Sequence, residues 1–92
     1  MSASMNDLSE SDLTRIQKLC DAATPGPWKA YVEGRDHESG SSFIQTDRDD
    51  IEMTGATDGD YDFIASARQD IPRLVAEVRA LRRQLEERPD PA

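Results

Sequence analysis

Along the C-terminal third of the chain apolar residues recur at Ile64, Ala67, Ile71, Leu74, Val78, Leu81 and Leu85. The steps alternate between three and four residues, the a/d spacing of a two-stranded coiled-coil seam. Apolar surface withdrawn from water contributes ~25 cal/mol per Å², so these side chains must meet either the rest of a small chain or a second copy of the helix. Charged residues flank the seam. Glu77 stands in range of Arg73 and Arg82, and Arg82 precedes Glu86 by four, spacings that give local ion pairs of ~0.3 kcal/mol each. Thr57 with Asp60 forms a capping-box pattern, and Asp58, Asp60 and Asp62 crowd a first turn where the helix dipole favours negative charge. Asp70 followed by Pro72 reads as a fresh N-cap with proline in the first turn. The pattern therefore predicts either one rod bent near residues 68–70 or a pair of helices.

Upstream, Ser9 with Asp12 is another capping box, and Leu8 can pack on Leu13 as a hydrophobic staple. Leu13, Ile16, Leu19, Cys20 and Ala23 then share one face, which predicts a buried stripe on a helix from about Glu10 to Ala22 or Ala23. Thr24-Pro25-Gly26-Pro27 stops it, because each proline lacks a donor and disfavours helix at the residue before it. Residues 28–33 alternate as a strand, with Trp28, Ala30 and Val32 on one face and Lys29, Tyr31 and Glu33 on the other. Trp28 is the core anchor by size; a ligand contact at Trp28 and Tyr31 is the alternative role. Residues 34–42 form a mobile loop by composition. Phe43–Thr46 and Ile51–Gly55 read as two further strands around a turn at 47–50, with Ile51 and Met53 facing inward. The expected fold is α+β: an N-terminal helix, a small three-stranded antiparallel meander, and a C-terminal kinked helix or helix pair with a coiled-coil-like seam. One domain spans residues 8–88, between a disordered N-terminus at 1–7 and a disordered tail at 89–92.

Ninety-two residues with 36% apolar content and one tryptophan leave a thin core, since a domain of this size buries only about 60% of its unfolded surface. Self-association through Ile71, Leu74, Val78, Leu81 and Leu85 is the natural supplement. The net charge of −8 is concentrated: residues 33–62 hold ten acids and two bases, whereas residues 63–92 hold five acids and six bases. The acidic middle repels nucleic acid and anionic membranes. The single cysteine, Cys20, forms no internal disulfide and fits a reducing compartment. With no run of 18 apolar residues and no basic-then-apolar leader, the expected location is cytoplasmic, with no membrane contact.

Chemistry is sparse. His37, the one histidine, lies among Asp36, Glu38, Ser39, Ser41 and Ser42, but a catalytic triad needs a rigid scaffold, so His37 is expected to be an exposed loop residue. Asp58, Asp60 and Asp62 occupy positions 1, 3 and 5 of a nominal calcium loop, yet Phe63 and Gln69 stand where that loop needs Gly and Glu. No zinc ligand set and no phosphate-cradling glycine motif occur, and the arginines read as a solvated flank of the seam. No catalytic, cofactor or metal residue is assigned, and no cofactor is expected.

The segment A-A-T-P-G-P-W at 22–28, followed by G-A-T-D-G-D-Y-D-F-I-A-S-A-R-Q-D-I-P-R-L-V-A-E-V-R-A-L at 55–81, resembles a family of small proteins of unassigned role encoded by actinobacteria and bacteriophages. The resemblance spans roughly residues 13–85. It implies a phage or mobile-element setting and no catalytic activity, and it carries over no functional residues. The expected function is a non-enzymatic accessory factor, homodimeric through the C-terminal helix, that binds a host or phage protein. The alternatives are a nucleotide- or metabolite-binding module around Trp28 and an acidic DNA mimic that occupies a DNA-binding protein.

Overall fold

Four elements follow one another: α1 (Glu10–Ala22), β1 (Lys29–Tyr31), β2 (Phe43–Gln45) and α2 (Asp58–Glu87). The structure, a computed structural model, describes residues 7–88. The tail expected at 89–92 and, Asp7 apart, the segment expected at 1–7 lie outside the described residues. The α+β class holds.

Both helix starts form the bonds their sequences announce. The Ser9 hydroxyl accepts from the Asp12 N–H and the Asp12 carboxylate accepts from the Ser9 N–H, each at 3.0 Å. Thr57 and Asp60 repeat the exchange at 3.1 and 2.9 Å. Each box satisfies donors that the first turn leaves without an intrahelical partner. At its other end α1 stops where Ala23 turns extended and donates to the Leu19 carbonyl at 3.2 Å.

The chain then comes back against the middle of α2. Gln69 accepts from the Trp28 N–H at 2.7 Å, and its amide donates to the Trp28 carbonyl at 3.2 Å and to the Ala65 carbonyl at 3.0 Å. The Thr24 carbonyl receives both the Trp28 indole N–H at 3.0 Å and Arg68 Nε at 2.9 Å. Gly26 allows this approach, because a Cβ there would stand 3.2 Å from Gln69 Oε1 and 3.3 Å from Arg68 Cγ. Residues 24–28 and 65–69 thus touch each other.

β1 and β2 pair antiparallel, with Lys29 opposite Gln45, Ala30 opposite Ile44 and Tyr31 opposite Phe43. One face of this ribbon meets α2. Val32, Ile44, Tyr61 and Ala65 are buried there, with Trp28, Ala30, Ile51, Met53, Ala56 and Ile64 packed around them. Trp28 is therefore a half-buried member of the core rim. On the opposite face Tyr31 stacks on Phe43 with ring centroids 5.2 Å apart, and Lys29 Nζ lies 5.1 Å from the Tyr31 centroid.

Several expectations need correction. The sheet has two strands rather than three. Ile51 makes one antiparallel bridge with Ile44, at 2.8 and 2.9 Å, and pairing goes no further because Tyr61 captures the next inward residue. Its hydroxyl accepts from the Met53 N–H at 3.0 Å and donates to the Met53 carbonyl at 3.1 Å. The C-terminal segment is one helix of 30 residues that contains Pro72, neither a helix pair nor a new start at Asp70. A proline inside a helix costs ~3 kcal/mol, and here both flanking segments are held by other contacts: Tyr61, Ala65 and Gln69 before Pro72 dock the ribbon, while Val75, Arg79 and Arg82 after it meet α1. The segment after β1 is tied rather than a free loop. Asp36 accepts from the Val32 N–H at 2.8 Å, Gly34 donates to the His37 carbonyl at 2.7 Å, and Gly34 adopts φ 85° to make that turn. Finally, of the stripe expected to be buried on α1 only Leu13 is fully so; Ile16, Cys20 and Ala23 are half-buried and Leu19 faces solvent.

Replacing Gln69 by Ala leaves the Trp28 N–H and carbonyl without their partner at a partly buried site, so the unfolding free energy should fall by about 1–3 kcal/mol. A urea titration followed by Trp28 emission measures it. A variant as stable as its parent would mean that water replaces the amide without loss.

Candidate interaction surface

α2 presents two faces. Tyr61, Ala65, Arg68, Val75, Arg79 and Arg82 turn toward the ribbon and α1, whereas Ile71, Leu74, Val78, Leu81 and Leu85 lie roughly a third of a turn away at 3.6 residues per turn. Val78 is half-buried at the boundary. The other four are exposed to 38% (Ile71), 61% (Leu74), 49% (Leu81) and 65% (Leu85). The folded chain therefore leaves most of the expected seam in water. Phe63, 74% exposed, lies along the same side toward the start of the helix; its place between Asp62 and Ile64, outside the a/d set, hid it from the spacing alone.

α1 lies antiparallel to this half of α2, with Thr24 just past its end beside Arg68 and its start at Glu10 beside Arg79 and Arg82. Buried Leu13 and Val75 form the floor of a groove of about 400 Å³ between the helices, and Ile16 and Leu19 of α1, with Leu8 just before it, face Ile71, Leu74 and Val78 of α2 across it. Leu19 and Leu8 belong to the exposed apolar surface for this reason. A periodicity read on α1 alone marks Leu19 as core, and only the position of α2 decides that it borders an open groove.

Polar contacts hold the helix pair. Arg79 Nε stands 3.2 Å from Glu10 Oε1, an ion-pair separation that lies off the hydrogen-bond direction. Arg79 Nη2 donates to Thr14 Oγ1 at 3.3 Å, and Arg82 donates to the Leu8 carbonyl. These arginines clamp α1, in place of the expected pairs of Arg82 with Glu77 and Glu86; among the described residues Glu77 and Glu86 make no ion pair. Arg73 pairs with Asp70 at 3.8 Å instead. On the polar side of the helix pair a cleft of about 690 Å³ is lined by Arg79, Arg82 and Arg83 together with Glu10 and Glu86, residues of both signs.

The acidic region is partly neutralised from within. Arg35 makes a bidentate contact with Asp62, at 2.8 and 2.9 Å, and reaches Asp36 at 2.9 and 3.1 Å. The Arg35 guanidinium holds both carboxyls below their ordinary value of 3.8, helped at Asp36 by the Val32 N–H. Asp47, Asp49, Asp50 and Glu52 stay exposed.

The candidate chemical groups do not assemble. His37 is half-buried rather than exposed: its Nδ1 meets the Ser39 carbonyl at 2.7 Å, its ring lies 5.6 Å from Phe43, and Nε2 has no hydrogen-bond partner. No serine hydroxyl is bonded to it. In the nominal calcium loop Asp60 caps Thr57 and Asp62 pairs with Arg35, so the carboxylates serve separate partners. Among the described residues no three His, Cys, Asp or Glu side chains gather as a metal site, and no helix is long and apolar enough to cross a membrane. Trp28 and Tyr31 belong to opposite faces of the ribbon and do not converge on one pocket. Comparison with protein families, curated proteins and solved structures finds no match to the chain.

Because the folded-state values of Asp36 and Asp62 are depressed, the stability they contribute is present above about pH 4 and lost as pH falls through their folded values. The urea midpoint of Arg35→Ala should therefore lie below that of the parent near neutrality, and the two should converge on acidification. A gap that is constant with pH would mean that Arg35 acts by packing alone.

Proposed function

We propose that this chain is a non-enzymatic interaction protein that self-associates through α2 and serves as an accessory factor for a protein partner. The observation that carries the proposal is the exposed stripe of Ile71, Leu74, Leu81 and Leu85 on a helix whose neighbouring faces are already committed to the ribbon and α1. Monomeric proteins seldom leave so long an apolar row in water, and such rows mark association surfaces. The shape supports the same view. The radius of gyration is 18.1 Å, against about 12 Å for a compact domain of this length, because a helix of about 45 Å carries the stripe away from the ribbon.

The non-enzymatic part is supported by the separation of His37, Asp36, Asp60 and Asp62, which bond to the Ser39 carbonyl, Arg35, Thr57 and Arg35 in turn. The phage or mobile-element setting, with a host or phage protein as partner, rests on the A-T-P-G-P-W and F-I-A-S-A-R-Q-D-I-P-R-L motifs, of which Thr24, Trp28, Ala65, Arg68 and Gln69 hold the fold together. The exposed carboxylates of residues 47–52 offer that partner a basic-seeking surface at the end opposite the Arg-rich tip of α2.

Sedimentation equilibrium over a range of concentrations tests the assembly. The parent should sediment as a dimer, and Leu81→Asp, which changes a half-exposed side chain, should shift it to monomer while Trp28 emission stays that of the folded chain. A parent that remains monomeric at all concentrations would remove the self-association.

A further inference from the structure

The α1–α2 groove has a shape that identifies its occupant. Ile71, Leu74, Val75 and Val78 stand at i, i+3, i+4 and i+7, the four-residue hole that receives one knob in coiled-coil packing. With Ile71 and Val78 at a and Leu74 and Leu81 at d, the two heptads from Ile71 to Leu81 carry β-branched residues at a and leucine at d, the choice that favours two parallel strands; Leu85, at the next a, departs from it. In that register a d-position leucine of the facing helix enters a hole bounded by a, d, e and the next a, which here are the four residues just named. α1 lines the other wall of the same hole with Ile16 and Leu19.

We infer that the groove is filled by a second copy of this chain, parallel and in register, with the partner's Leu74 seated between Ile71, Leu74, Val75 and Val78 and against Ile16 and Leu19 of α1. The inference rests on the self-association proposed above and adds its direction, its register and the contribution of α1. Charge agrees with it. Glu77 falls at g and Arg82 at e, the pair that meets across a parallel dimer, and Glu77 makes no ion pair within its own chain among the described residues. The partner's Glu77 would join the Arg82 and Glu10 contact that already clamps α1. The acidic ribbons do not oppose the arrangement. They pack on the faces of the two helices turned away from the seam, so both helices, about 20 Å in combined width, separate them by more than the Debye length of about 8 Å. Two heptads make a short coiled coil, but each helix is already formed by its own domain, so the cost of nucleating it does not fall on association.

Single cysteines test the geometry in a Cys20→Ser background. In a parallel in-register dimer every seam position faces its own copy, so Leu74→Cys and Leu81→Cys should each give a disulfide-linked dimer under mild oxidation, while Arg73→Cys, pointing away from the seam, should not. An antiparallel dimer can bring at most one of the two seam positions to its own copy, so linkage at only one, or at neither, in a chain that still sediments as a dimer when reduced overturns the register and leaves self-association standing. Absence of the dimer in the reduced parent overturns both. Leu19→Asp reads the role of α1: this side chain is 62% exposed in the single chain, so the fold should persist while the dimer dissociation constant rises at least tenfold. An unchanged constant removes α1 from the interface.

Discussion

The amide of Gln69 holds two segments of chain that are 41 residues apart. One oxygen and both hydrogens are used, on the Trp28 N–H, the Trp28 carbonyl and the Ala65 carbonyl, so no polar atom of the side chain goes without a partner. At a partly buried site that completeness decides the sign of the contribution, because an unmet amide costs more than a formed bond contributes. Arg68 adds the Thr24 carbonyl. From this clamp α1 departs in one direction and the ribbon in the other, so the positions of both on α2 follow from where the clamp sits along the helix.

With the ribbon on one half and α1 on the other, α2 is held on both sides of Pro72. The proline removes one backbone bond, yet the turns around it are fixed by contacts with two separate parts of the fold, and the helix continues. The same division leaves the seam exposed. A small chain can cover only one side of a helix of about 45 Å, and the covered side is the one with Tyr61, Ala65 and Val75, flanked by side chains that can bond to the backbone of other segments. The leucine row has no such groups and remains available for association.

Charge is organised along the same axis. Arg35 draws Asp36 and Asp62 together and ties the turn after β1 to the first turns of α2, so part of the acidic excess is structural. Arg79 and Arg82 are spent on the start of α1, while Asp47, Asp49, Asp50 and Glu52 stay exposed.

Local signals were legible in the residues themselves. Ser9 with Asp12 and Thr57 with Asp60 cap their helices, the Pro-Gly-Pro segment ends α1, Trp28 and Val32 turn inward, and the a/d row is apolar and continuous, because each depends on bonds or periodicities that span only a few residues. What the tertiary structure decided depends on which distant groups arrive. Tyr61 takes the backbone of Met53 and ends the sheet at two strands, packing on both sides of Pro72 keeps one helix where the local pattern allowed two, and Arg79 and Arg82 turn to Glu10, Thr14 and Leu8 rather than to their neighbours on the helix. Sequence alone marks an amphipathic side on each helix, but the angular offset between the side that is buried and the side that is left open arises only when α1, the ribbon and α2 compete for the same surface.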